Sequence, residues 1–171
     1  MSTKLDIIIN NILTRGEKII FRPHPLDLTL KGNIKNIKKI VKKYEDNNNF
    51  FYDNSHSYMI SYSKAKMLIT DFSNTAYTFA YSTLRPVIFF SKDEDKFIKS
   101  KIANLYYFKD RTSVGFVAQN INELLDSIFK IYKKKNYNKK KIFNLRKKRI
   151  RYVNTSLKRT IMLILKIIKK I

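Results

Sequence analysis

The sequence predicts an α/β fold, a parallel sheet with helices on both faces. Three observations predict it. The strand-length runs KIIF (18–21), MLIT (67–70) and PVIFF (86–90) are almost wholly apolar rather than alternating, which is the pattern of strands covered on both sides. Between these runs, apolar residues recur at the spacing of one helical face. The two kinds of segment alternate along the chain, as parallel strands joined by helical crossovers require. At 171 residues the chain fits one domain and can bury roughly 70% of its unfolded surface.

Each element follows in order. Residues 3–14 place Leu5, Ile8, Ile9, Ile12 and Leu13 on one helical face, and Gly16 ends the helix. KIIF is a buried strand stopped by RPHP (22–25). Residues 33–45 set Ile34, Ile37, Ile40 and Val41 on one face and lysines on the other. NNNFFYD (47–53) gives a turn and a short strand. A short helix over 56–65 carries Tyr58, Met59 and Tyr62, and MLIT is the next strand. Residues 73–82 form a helix that packs through Ala76, Tyr77, Phe79 and Ala80. PVIFF is a strand whose leading Pro86 removes no interior ladder bond. Residues 91–113 read as loop, and VGFV (114–117) as a last strand. Ile121, Leu124, Leu125, Ile128 and Ile131 make the stripe of a helix over 121–135. This alternation is Rossmann-like. It defines a domain over 1–135, followed by two basic helices over 136–171 with a break near VNTS (153–156).

Composition limits the chemistry. Apolar residues are 44% and aromatics 13% of the chain, which argues against disorder. The absence of cysteine excludes disulfides and thiolate metal sites. With two histidines, His24 and His56, a metal would need carboxylate ligands, and no such cluster stands out, so neither metal nor other cofactor is expected. The first residues lack the pattern of a signal peptide. No run approaches the roughly 18 apolar residues of a spanning helix. The expected location is cytoplasmic, at most peripheral on the inner membrane face. Net charge is +23, yet residues 130–171 hold 17 Lys and Arg and no acid, leaving +6 on residues 1–129. Such a field attracts phosphate polymers or an anionic membrane. A genome that favours Lys, Asn and Ile accounts for part of the lysine count, but not for acids stopping at Asp126.

Ligands of open parallel sheets sit beyond the carboxyl ends of the strands. Two polar segments fall there, Arg22-Pro23-His24-Pro25 and Asp71-Phe72-Ser73-Asn74-Thr75. The prolines push Arg22 and His24 away from helix. Arg22 offers a planar fork to phosphate oxygens, and His24 can donate to phosphate or transfer a proton. The second segment opens a helix, whose first turn presents free N–H groups to an anion; Ser73 and Thr75 add hydroxyls. The alternative for Asp71 or Ser73 is a helix N-cap. For His56 a surface or capping role is expected. The aromatics of NLYYF (104–108) could stack bases, but their even scatter favours the core. The three glycines, Gly16, Gly32 and Gly115, make neither a P-loop nor a dinucleotide fingerprint.

In this order, IIFRPHP, FFYDNSHSYMISYSKAKMLITDFSNTAYTFAYSTLRPVIFF and the acidic KDEDKF resemble the CDP-glycerol glycerophosphotransferase family. These are teichoic-acid-type primases and polymerases, with relatives in capsule and surface-glycan synthesis. The likeness runs over about residues 17–130 and weakly over Asn154-Thr155-Ser156. It implies a GT-B enzyme of two Rossmann-type domains, with the donor, CDP-glycerol or a similar CDP-alcohol, held mainly by the C-terminal one. This chain is similar to that C-terminal domain. The resemblance implies that Arg22 and His24 contact the donor pyrophosphate, with His24 catalytic. Asp71, Ser73, Asn74 and Thr75 correspond to the family's Asp-Tyr-Ser-Ser segment at the phosphates, Phe72 replacing Tyr and Asn74 the second Ser. The implied reaction is attack of a polyol hydroxyl on the β-phosphate, expelling CMP. No His-Gly-Thr segment occurs here. The expectation is therefore a donor-binding half, incomplete alone, with an N-terminal acceptor domain as partner.

The tail places Leu157, Ile161, Ile164, Ile168 and Ile171 at helical spacing among Lys158, Arg159, Lys166, Lys169 and Lys170. Two readings stay open: a helix lying on an anionic leaflet, or one packing on the absent domain. Net charge also allows a basic nucleic-acid-binding or glycan-complex scaffold without catalysis, although no specific nucleic acid is expected.

Overall fold

The computed structural model describes residues 2–134, 137–152 and 155–168. The fold is mixed α/β with parallel strands, in two compact units, Met1–Ala65 and Lys66–Ile171.

In the first unit, helix α1 (Ser2–Leu13) precedes strand β1 (Ile19–Phe21), helix α2 (Lys31–Tyr44), strand β2 (Phe50–Tyr52) and the short helix α3 (Met59–Lys64). Gly16 ends α1 at φ 75, and its N–H reaches the Leu13 carbonyl at 2.9 Å; only glycine adopts that backbone without strain. β1 and β2 pair in parallel, Ile19 opposite Phe50 and Phe21 opposite Tyr52. The predicted stripes of α1 and α2 meet there: Ile9, Leu13, Ile40, Tyr44 and Phe50 form the core. Each such side chain contributes about 1.5–3 kcal/mol by leaving water. Asp6 ties the helices together, accepting from Lys43 Nζ at 2.7 Å and from the Tyr44 hydroxyl at 2.8 Å. The Lys43 hydrogen bond is the largest cause holding the Asp6 carboxyl below its usual range.

The second unit begins with β3 (Leu68–Thr70), α4 (Thr75–Thr83) and β4 (Val87–Phe90). Residues 91–113, expected to be loop, wind into short helices instead: α5 (Glu94–Ile98), a 3₁₀ turn (Lys101–Asn104), α6 (Tyr106–Lys109) and α7 (Arg111–Val114). Their anchors are tertiary. Glu94 and Arg111 form a buried two-pronged ion pair, 2.9 and 2.5 Å. Asp110 accepts from Arg149 at 2.5 and 3.0 Å. Strand β5 (Gly115–Ala118) and helices α8 (Ile121–Lys134), α9 (Lys139–Arg149) and α10 (Ser156–Ile168) follow.

β3, β4 and β5 form a parallel sheet in that order. β4 is the spine: Val87, Ile88 and Phe89 are almost wholly buried, with Phe79 of α4 and Leu124 of α8. Gly115 sits where β5 approaches β4, and a Cβ there would lie 1.7 Å from the Val87 carbonyl oxygen. Residue 115 therefore cannot carry a side chain without parting the strands. α9 is held by buried Ile142 and by Arg146, which donates to the Tyr81 carbonyl at 2.9 Å.

The sequence predicts one sheet; the described strands instead make two sheets, β1-β2 and β3-β4-β5. Apolar runs identify strands, but only edge-to-edge hydrogen bonds choose neighbours. The predicted break between the tail helices falls at 153–156, of which Val153 and Asn154 lie outside the described residues.

Candidate functional site

The two polar segments lie in separate units. In the first, the end of β1 leads into Arg22. Its Nη1 donates to Asp53 Oδ2 at 2.7 Å and to Ser55 Oγ at 3.2 Å. Its Nη2 donates to the carbonyls of Ser55 at 2.7 Å and His56 at 3.4 Å. The fork expected to grip phosphate is thus engaged with the loop after β2. Asp53 collects further bonds from the Ser55 N–H at 3.0 Å, the Ser55 hydroxyl at 2.6 Å and the Ser61 hydroxyl. Burial raises the Asp53 pKa, but the bonds from Ser55, Ser61 and Arg22 outweigh it and hold the carboxyl far below its usual range. Arg22 and Asp53 are 31 residues apart in sequence, so no local signal announced the pair.

This clamp sets the direction of the next residues. His24 is exposed and extended, φ −66 and ψ 141. Its Nδ1 accepts from the Leu26 N–H at 3.2 Å, capping a 3₁₀ turn over Pro25–Leu28. With Nδ1 as acceptor, the neutral ring carries its proton on Nε2, and Nε2 has no partner among the described residues. His56 is exposed and lends only its carbonyl to Arg22. The hydroxyl that meets the Met59 N–H near the start of α3 belongs to Ser57.

In the second unit, β3 delivers Asp71, Phe72, Ser73 and Asn74 before α4 starts at Thr75. Asn74 is the N-cap residue, yet its side chain makes no capping bond. Ser73 Oγ accepts from the Thr75 N–H at a long 3.3 Å, and the Ser73 carbonyl accepts from the Ala76 N–H at 3.1 Å. Ser73 therefore partly fills the capping role, and Asp71 does not. Asp71 and Asn74 are exposed, and neither side chain hydrogen-bonds among the described residues.

Residues that sequence reasoning missed hold this turn from behind. The Tyr107 hydroxyl donates to the Ser73 carbonyl at 3.3 Å, and the Tyr77 hydroxyl donates to the Tyr107 carbonyl. Burial pushes the Tyr107 phenol up to about 12, so it remains a donor near neutrality. Phe72 packs on Phe97 at 4.3 Å and on Phe108 at 5.9 Å between ring centres. Behind them the Arg111 guanidinium lies 4.7 Å from the Phe108 ring centre. The one sequence signal was NLYYF read as core. Tyr107 and Phe108 are half-buried rather than core, and Tyr106 remains 67% exposed.

Each segment can do a different thing chemically. The first presents an imidazole N–H; the second presents a helix start beside the exposed side chains of Asp71 and Asn74, its first N–H groups already bonded to Ser73 and Asn74. Among the described residues no group of three His, Asp or Glu side chains could hold a metal ion.

A family model described as CDP-glycerol:poly(glycerophosphate) glycerophosphotransferase matches residues 5–165. The chain belongs to this glycerophosphotransferase family. The match extends beyond the quoted motifs to take in most of α1 and most of α10. A curated relative, the minor teichoic acid biosynthesis protein GgaB of Bacillus subtilis (strain 168), is 31% identical over 120 residues. That stretch is 70% of this glycerophosphotransferase-family chain but 11% of GgaB. No solved structure matches.

Proposed function

We propose that this chain binds the diphosphate of CDP-glycerol, as the Rossmann-like, donor-holding half of a GT-B-type transferase in teichoic-acid-type synthesis. The carrying observation is His24, with Nδ1 tied to the Leu26 N–H and Nε2 exposed. A donor at a strand end, held by its neighbours, suits an oxyanion that gains charge during reaction. His24 donates to the pyrophosphate. In the second unit, taken by itself, the exposed Asn74 amide beside the α4 start is a donor for phosphate oxygens, and Ser73 and Thr75 shape the turn that presents it. Asp71, able only to accept as a carboxylate, serves hydroxyl or amide groups of the donor. Arg22 positions the His24 loop through Asp53.

In the proposed reaction an acceptor hydroxyl attacks the β-phosphorus. A new P–O bond forms, and the bond from that phosphorus to the bridging oxygen breaks. CMP leaves with the electron pair, and the acceptor proton passes to a base that no residue here is assigned to be. That base belongs to a partner domain.

Calorimetric titration of the full chain with CDP-glycerol tests this reading. Loss of one charge-assisted hydrogen bond in His24→Ala removes about 1.5–3 kcal/mol, roughly tenfold to a hundredfold in affinity. Equal affinity in both proteins, or none in either, would overturn it.

A second observation supports a reading in which the chain rests on a membrane face. Eight large apolar side chains of α10, Leu157 to Ile168, are each 48–73% exposed, among Lys158, Arg159 and Lys166 and no acid. No helix among the described residues is long and apolar enough to cross a bilayer. We infer that α10 lies on an anionic lipid surface, where its cations meet lipid charge and its apolar residues enter the acyl boundary. Sedimentation with vesicles of phosphatidylglycerol and phosphatidylcholine should deplete the protein from the supernatant, and pure phosphatidylcholine should not. Equal behaviour with both sets the inference aside in favour of α10 packing on another domain.

A further inference from the structure

The outer face of α2 carries a charge arrangement that donor binding leaves unused. This helix holds six lysines and no acid. Lys43 pairs with Asp6. The other five, Lys31, Lys35, Lys38, Lys39 and Lys42, are exposed and form no ion pair among the described residues. Together with Ile34 they line an open groove of about 460 Å³.

Their spacing matters. Steps of three and four residues put the side chains on successive turns of one face, about 6 Å apart for a step of four. Like charges at these offsets repel. Lys31 adds to this by standing at the positive end of the helix dipole. An ordinary water-facing helix relieves such repulsion with Glu four residues away; α2 has none. A linear polyanion laid along the groove would relieve it at every turn.

We propose that this face of α2 holds a base-free phosphodiester polymer of the poly(glycerol phosphate) type, with one negative charge per repeat. The choice of polymer rests on the family membership stated above. The lining supports it independently. Single-stranded nucleic acids are held by aromatic platforms as well as charge, and this groove is lined by lysines and one isoleucine. Ile34 meets glycerol carbons, and the ammonium groups meet successive phosphates. The groove is then a track that keeps a growing acceptor chain on the protein between additions.

The test is fluorescence anisotropy of a labelled glycerol phosphate oligomer on the full chain at several salt concentrations. The variant is K35Q/K38Q/K42Q. The control is K130Q/K139Q/K140Q, three exposed lysines elsewhere. Gln matches Lys in helix propensity, and far-UV circular dichroism confirms that both fold. The α2 variant should weaken binding about tenfold at low salt. It should also reduce the slope of log affinity against log salt by about 2, three contacts at roughly 0.7 each. The control should stay within about twofold, since its charges lie outside the groove. Three results would overturn the proposal: unchanged binding by the α2 variant, an equal loss in the control, or equally tight, equally α2-dependent binding of a single-stranded oligonucleotide of the same charge. Parallel titration with CDP-glycerol separates the two readings. Absent donor binding with α2-dependent oligomer binding removes the donor site and keeps the track; the reverse removes only the track.

Discussion

Arg111→Ala is the most informative single perturbation of the second unit. The Arg111 and Glu94 side chains are 4% and 6% exposed, and they share two hydrogen bonds. Removing the guanidinium leaves a buried carboxylate without its partner, which costs about 3–5 kcal/mol. The same change removes the cation from the Phe108 and Phe89 rings, at 4.7 and 5.7 Å, worth about 0.5–2 kcal/mol more. These contributions overlap, so a loss near 4 kcal/mol is expected. The double variant Glu94→Gln/Arg111→Met removes both charges while nearly keeping volume, and should lie within about 1 kcal/mol of the parent or above it. With no tryptophan in the chain, urea unfolding is followed by far-UV circular dichroism. The single variant should also bind CDP-glycerol more weakly, because α5–α7 carry Tyr107, which holds the Ser73 carbonyl. Equal destabilisation by the single and double variants would refute the reasoning, since the loss would then come from packing rather than from an orphaned charge.

Gly115→Ala should destabilise by about 3 kcal/mol or more or abolish soluble expression, because its Cβ would overlap the Val87 carbonyl; thermal melts check it. Tyr107→Phe should lower stability by about 1 kcal/mol, through one lost hydrogen bond, and weaken donor binding while leaving oligomer binding unchanged. Asp53 predicts an acid dependence. Its folded pKa is depressed, so its stabilisation is full above the unfolded value of about 3.9 and is lost as pH falls from there through the folded value. The gap in melting temperature between the parent and Asp53→Asn should therefore be widest near neutrality and narrow below about pH 4; a gap constant from pH 7 to 3 would contradict it.

Helices α1, α2 and α8 were legible because each is amphipathic over three turns or more, and the residues read as their stripes include those now buried, Ile9, Leu13, Ile40, Leu124 and Ile128 among them. The strands were legible as short apolar runs between turn residues. The segment over 91–113 was not. Its helices are four or five residues long, too short to show a period, and what holds them is a pair of ion pairs closing across 17 and 39 residues. At the candidate site the sequence marked the polar segments by position and by proline. It did not show that Arg22 is committed to Asp53, or that Tyr107 supports Ser73.

Alone, then, the order of residues determined the strands and the longer helices, their alternation, the family and the charge of the tail, since each is written in local runs and motifs. Tertiary structure decided which strands share a sheet, why residue 115 must lack a side chain, and which polar groups remain free to meet a ligand. Those outcomes depend on atoms brought together from distant parts of the chain, and a donor's availability is known only once all its partners are in place.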